Sequence, residues 1–224
     1  MGPILSLIGL LAQFTPLVLF FVFFKRINKI VELRVVFFYV LVSLLINILF
    51  SFFQNHAPLI LSLSAIIEYA FFSAFFYYCI RSHSFRRVAL VISLITMGIE
   101  FYLLYLHKPN FDFWVTLTTA ILILVYCIYF FYEEINKPRT LIIYQSYNFW
   151  VATGCIIYLA GTLFLFLYTS DLKDKQRSSL WFIDIVFEIV KNVFFSIAFI
   201  IGKKGEQNLA IGPFDDTNMD EKPF

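Results

Sequence analysis

Seven long apolar runs alternate with short polar segments along this chain, at about 3–24, 35–53, 58–80, 88–106, 114–132, 149–168 and 181–201. Each approaches or exceeds the roughly 20 residues an α-helix needs to cross a hydrocarbon core about 30 Å thick. The pattern predicts an all-α fold, a bundle of seven transmembrane helices occupying residues 1–202, followed by a tail at 203–224. The second and third runs are joined by Gln54, Asn55, His56 and Ala57 alone, which requires an antiparallel hairpin. Pro58 fits the first turn of the returning helix, where its missing N–H would have had no partner. Segment 139–148 is semi-polar and is compatible either with an extension of the sixth helix or with a stretch lying in the membrane interface.

Composition supports this reading. Hydrophobic residues make up 61% of the 224 and charged ones 14%, against about 45–50% apolar in ordinary soluble domains. The joining segments hold 4 to 16 residues, too few for a soluble catalytic domain, so any chemistry belongs inside the bundle or at its faces. Cys79, Cys127 and Cys155 stand singly in different runs without metal-ligand spacing and are expected to pack as small residues. No nucleophile–base pair, metal motif or cofactor motif stands out, so neither an enzyme nor a bound cofactor is expected, and no nucleic-acid partner.

The net charge of +2 becomes informative once mapped onto the loops. Twelve Lys and Arg residues fall on one side: Lys25, Arg26, Lys29 and Arg34; Arg81, Arg86 and Arg87; Lys137 and Arg139; and Lys203, Lys204 and Lys222. The other side has Lys108, Lys173, Lys175 and Arg177. Because basic residues stay cytoplasmic, the amino terminus is expected outside and the carboxyl terminus inside, with a cytoplasmic (inner) membrane location. The first run lacks a basic leader and a small-x-small cleavage site and reads as a retained helix. The tail carries Asp215, Asp216, Asp220 and Glu221, too little apolar surface to fold alone. Asp215 and Asp216, with Arg86 and Arg87 of the third loop, are the candidate contacts for a cytoplasmic partner.

Aromatic residues reach 21%, with 30 Phe expected at the lipid face and in packing, and Trp114, Trp150 and Trp181 near the membrane edges. Gly9/Ala12, Ala70/Ala74, Gly154/Gly161 and Ala198/Gly202 mark expected close helix contacts.

The chemistry-bearing residues gather in the last run, where Asp184, Glu188 and Lys191 are spaced i, i+4, i+7 and share one helical face, with Asn192 beside them. An ionised side chain at mid-bilayer costs roughly 2.5–3.5 kcal/mol on insertion scales, so this stripe needs partners. Glu188 and Lys191, at i and i+3, are expected to pair. Glu68 lies near the middle of the third run and Glu100 in the outer half of the fourth, while Gln13 and Asn47 add amides in the first and second. If these face inward, the bundle has a polar centre of four acids and one base. One reading makes it purely architectural, orienting helices; the other makes it a cavity for a small ligand, an ion or a proton.

A chain of seven spans with a lysine halfway along the last is similar in architecture to the microbial rhodopsins, which implies a retinal on Lys191. It departs from their pattern: position 187, four residues before the lysine, is Phe rather than an acid, and run 149–168 contains no proline. The stretches Asn148-Phe149-Trp150, Ile157-Tyr158-Leu159-Ala160-Gly161-Thr162 and Ile189-Val190-Lys191-Asn192-Val193-Phe194-Phe195 cover the last third of the chain. They resemble the closing helices of small, uncharacterised bacterial seven-helix membrane proteins, which are similar to the multi-helix sensor regions associated with histidine kinases. That resemblance implies signal transduction through a separate histidine kinase or other signalling protein. The leading expectation is a membrane-embedded sensory or accessory protein with a polar centre responsive to a small-molecule ligand, protons or membrane state. The alternative is a small-solute or ion carrier using the intramembrane carboxylates, although seven spans do not divide into the equal halves common in carriers.

Overall fold

A computed structural model of the chain describes residues 3–53, 57–106, 111–136, 138, 143–169 and 174–202. These residues are helical throughout apart from turns: α1 (Pro3–Val22), α2 (Val31–Phe52), α3 (Ala57–Cys79), α4 (His83–Tyr105), α5 (Phe111–Asn136), α6 (Tyr147–Thr169) and α7 (Asp174–Gly202). Six of them, α2 to α7, are long and apolar enough to cross a membrane, and α1 is a further apolar helix. A single turn at Phe24–Ile27 separates α1 from α2, and a 3-10 turn at Ile143–Gln145 precedes α6. Of segment 139–148, residues 143–146 are therefore not a continuous extension of α6, whose first residue is Tyr147, and 139–142 lie outside the described residues.

Several helices begin ahead of their apolar runs. Hydropathy marks only the part of a helix suited to lipid, whereas its ends are set by capping in the polar flanks. At the start of α4 the Ser82 hydroxyl accepts from the N–H of Phe85, three residues on. Just before it, the carboxylate of Glu133, near the end of α5, accepts from the backbone N–H groups of Arg81 and Ser82, both at 2.9 Å. Glu134 faces the Arg81 guanidinium at 3.9 Å. The end of α5 thus holds the α3–α4 turn in place.

The helices close a ring in the spatial order α1, α2, α3, α5, α6, α7, and α7 also reaches across to α2. Helix α4 stands outside the ring, against α3 and more lightly against α5, with 17% of its apolar window buried compared with 33–44% in the other five spans. Helix α7 is the hub, packed most extensively on α6 and then on α1. Its close approach depends on absent side chains. A Cβ on Gly154 would lie 2.9 Å from that of Phe194, and one on Gly161 would collide with the Phe187 ring. Gly9 of α1 meets Ile185, and Gly202 at the end of α7 meets Leu33 of α2. The contacts expected at these four glycines are therefore present, and Phe187 is explained as the ring that covers Gly161.

Phenylalanine fills the core as well as the periphery. Phe20 stacks on Phe37 with centroids 3.8 Å apart and meets Phe199 edge-on at 5.8 Å, joining α1, α2 and α7. Phe76 and Phe130 tie α3 to α5, while Phe21, Phe38 and Phe164 are exposed at the helix surface.

Candidate functional site

Lys191 is 2% exposed, and its surroundings come from four helices. Its Nζ donates to the Tyr39 hydroxyl of α2 at 2.6 Å and pairs with Glu68 of α3 at 3.6 Å. The Tyr39 hydroxyl in turn donates to Glu68 Oε1 at 2.7 Å. From α6, the Tyr158 hydroxyl donates to Glu68 Oε2 at 3.3 Å, and the Tyr158 ring lies under the ammonium, 3.7 Å from Nζ to centroid. A lysine ammonium has three protons and no acceptor, and a carboxylate has only acceptors. Tyr39 joins the two by accepting from one and donating to the other. The tyrosine face adds a cation–π contact, worth about 2 kcal/mol or more when desolvated.

The expected pairing of Glu188 with Lys191 within α7 is therefore corrected. Lys191 takes Glu68 across the bundle, and Glu188 accepts a hydrogen bond from the Gln13 amide of α1. Asp184, one turn before Glu188, accepts from the Thr162 hydroxyl of α6 at 3.2 Å. Helical spacing places i and i+3 side chains on one face, but it does not compel them to meet when a better partner stands on a neighbouring helix. Asp184 meets α6, Glu188 meets α1 and Lys191 meets α2, α3 and α6, so α7 is fastened to four helices by polar contacts at successive levels. Below Lys191, Phe195 closes the layer against Tyr39 and Phe72.

The remaining expected residues are distributed differently. Asn192 is buried, and its amide Nδ2 has no hydrogen-bond partner among the described residues. Asn47 lies on α2 about two turns beyond Tyr39 and is half-buried. Glu100 is 4% exposed on α4, and both its carboxylate oxygens have no hydrogen-bond partner among the described residues. Because α4 stands outside the ring, Glu100 is not one of the groups bonded to Lys191. Arg86 is half-buried and Arg87 exposed at the start of α4, while Asp215 and Asp216 lie outside the described residues.

Tyr39, Tyr158 and Thr162 were absent from the sequence-based set. Of these, Tyr158 alone had a signal, its depth: a tyrosine at the middle of run 149–168 has its hydroxyl in the hydrocarbon zone and needs an internal partner.

Beside Glu68 lies a small pocket of about 30 Å³, lined on its polar side by Tyr69, Thr116, Thr119, Tyr158 and Thr162. A buried water needs about 10–15 Å³ by this measure and two to four polar partners, so the space suits one or two waters or a small ion. A retinal on Lys191 does not fit this arrangement, since the rings of Tyr39 and Tyr158 lie against Nζ and the ammonium is bonded to Tyr39 and paired with Glu68. Among the described residues no cluster of His, Cys, Asp and Glu is arranged to hold a metal ion. Comparison with protein-family models, with curated proteins and with solved structures finds no match for this chain.

Proposed function

We propose that this chain is a sensory or accessory signalling protein of the cytoplasmic membrane, with seven spans, an outside amino terminus and a separate cytoplasmic or membrane partner such as a histidine kinase. The observation that carries the reading is the Lys191–Tyr39–Glu68–Tyr158 network, which links four helices through one charge pair between a buried lysine and a half-buried glutamate. With Gln13–Glu188 and Thr162–Asp184 it spans five helices, and it adjoins a water-sized cavity. Such a network responds to a proton, a small ion or the state of the bilayer, because changing one charge alters the partners of several helices together. Protons or ions moving along the carboxylates remain the second reading, and Glu100, whose carboxylate has no hydrogen-bond partner among the described residues, favours that one.

The test uses the full-length protein in two formats. In sealed vesicles the sensor reading expects no proton or ion flux above protein-free vesicles, with Glu68→Gln leaving the leak unchanged. In mild-detergent co-purification it expects a salt-sensitive cytoplasmic partner whose recovery falls when 215–224 is deleted or Arg87 is changed to Gln, since exposed charge contacts are screened beyond a Debye length of about 8–10 Å. Robust flux abolished by Glu68→Gln, together with recovery indifferent to both cytoplasmic changes, would replace the sensor with a carrier.

A further inference from the structure

The position of α4 outside the ring leaves a groove of about 430 Å³ between α3 and α4, floored by α5. Its volume falls within the roughly 300–1,000 Å³ of ordinary ligand sites. From α3 it is lined by Ala70, Ser73, Ala74 and Tyr77, and from α4 by Leu90, Leu94 and Met97, spaced i, i+4, i+7. Ala70 and Ala74 were expected to let helices touch; here they are part of the wall of the groove. Leu90 and Leu94 are exposed, so the groove lies at the apolar surface of the bundle.

One end of the groove is cationic. Arg86 lines it, with its guanidinium 4.8 Å from the Tyr77 ring centroid and its Nη2 3.4 Å from His83 Nδ1. Both partners lack the formal negative charge of a carboxylate. The acids near this turn are otherwise engaged, Glu133 on the backbone N–H groups of Arg81 and Ser82 and Glu134 on the Arg81 guanidinium. One turn deeper on α3 Ser73 also lines the groove, and its hydroxyl is buried at the groove wall without a hydrogen-bond partner among the described residues. Beyond it the lining is apolar apart from Ser93 and Tyr126, whose hydroxyls are bonded to each other. Cation at the helix end, unmatched hydroxyl one turn in and apolar channel further along follow the order of phosphate, ester and acyl chain in a phospholipid.

We propose that this groove binds one anionic phospholipid, with its phosphate on Arg86, the ester region at Ser73 and an acyl chain along Ala70, Ala74, Leu94 and Met97. Arginine suits the role because its planar fork matches phosphate oxygens, and basic pockets between membrane helices recognise anionic headgroups. This inference rests on α4 and its groove and is independent of the polar centre.

Native mass spectrometry of the purified full-length protein tests it, using phosphatidylglycerol, phosphatidylcholine and inorganic phosphate as probes. One phosphatidylglycerol should be retained in preference to phosphatidylcholine, and inorganic phosphate should not displace it. Arg86→Gln should weaken retention roughly tenfold, the scale of one charge-assisted hydrogen bond. Ala74→Phe fills the groove and should abolish retention; Leu94→Trp does the same from the exposed wall, where folding tolerates bulk. Equal retention of both lipids, an Arg86→Gln protein that binds as the wild type, or unaltered retention in a folded groove-filled variant would each overturn the proposal. Displacement of the lipid by inorganic phosphate would overturn it too, as it would reduce the site to a headgroup contact without the acyl channel.

Discussion

At the scale of the residue, the central decision is the partner of Lys191. Removing one member of a buried ion pair typically costs about 3–5 kcal/mol because the other is stranded, whereas replacing both with apolar groups is often nearly neutral. Lys191→Met strands Glu68, so the single change should destabilise strongly and Glu68→Leu in the same chain should recover much of the loss. Glu188→Leu should not rescue, since its carboxylate is bonded to Gln13. Denaturant titrations in a fixed detergent compare the three proteins, and rescue by Glu188→Leu equal to that by Glu68→Leu would restore the pairing within α7. The residue types Glu68, Glu188, Asp184 and Lys191 were legible beforehand because charge in an apolar run is conspicuous. Tyr39 was not, since a tyrosine in an aromatic-rich chain carries no mark until its hydroxyl is placed 2.6 Å from an ammonium.

At the scale of the element, the α6–α7 seam sets the level at which polar groups meet. Gly154 and Gly161 are seven residues apart, two turns along one face, and they receive Phe194 and Phe187. Thr162, next to Gly161, reaches Asp184 at 3.2 Å only because the backbones are this close. Gly161→Leu should push the helices apart at an overpacking cost of about 1–3 kcal/mol. Gly98, on α4, has open space around it, so Gly98→Leu serves as the control that should leave stability almost unchanged. Equal losses from the two substitutions, followed by thermal unfolding in detergent, would show that the seam is not a close-packed contact.

At the scale of the whole molecule, the basic residues predict orientation, and the structure makes the test clean. Cys79, Cys127 and Cys155 are all buried, so an added surface cysteine should dominate labelling. Ser84 is exposed at the start of α4. With the basic loops inside, Ser84→Cys should react with an impermeant maleimide only after permeabilisation, whereas Asn55→Cys should react in intact cells. Labelling of Ser84→Cys in intact cells would invert the topology and move the groove's Arg86 end to the outer leaflet.

Helix content, the position of each apolar run and the charged stripe of α7 followed from the sequence, since mean hydropathy and helical spacing are properties of one segment at a time. The close contacts at Gly9, Gly154, Gly161 and Gly202 followed too, because a missing side chain signals approach whichever helix supplies the neighbour. Which helix that is depends on rotation and lateral order, and those are settled only when all the faces pack together. Tertiary structure therefore decided that Lys191 crosses to Glu68 through Tyr39 and that Glu188 turns to Gln13. It also decided that α4, as apolar as the rest, stays outside the ring, with Ala70 and Ala74 lining a groove rather than a seam. The physical reason is common to these outcomes: burial energy in an apolar chain hardly distinguishes one neighbour from another, so a few polar pairings and small-residue contacts select the arrangement.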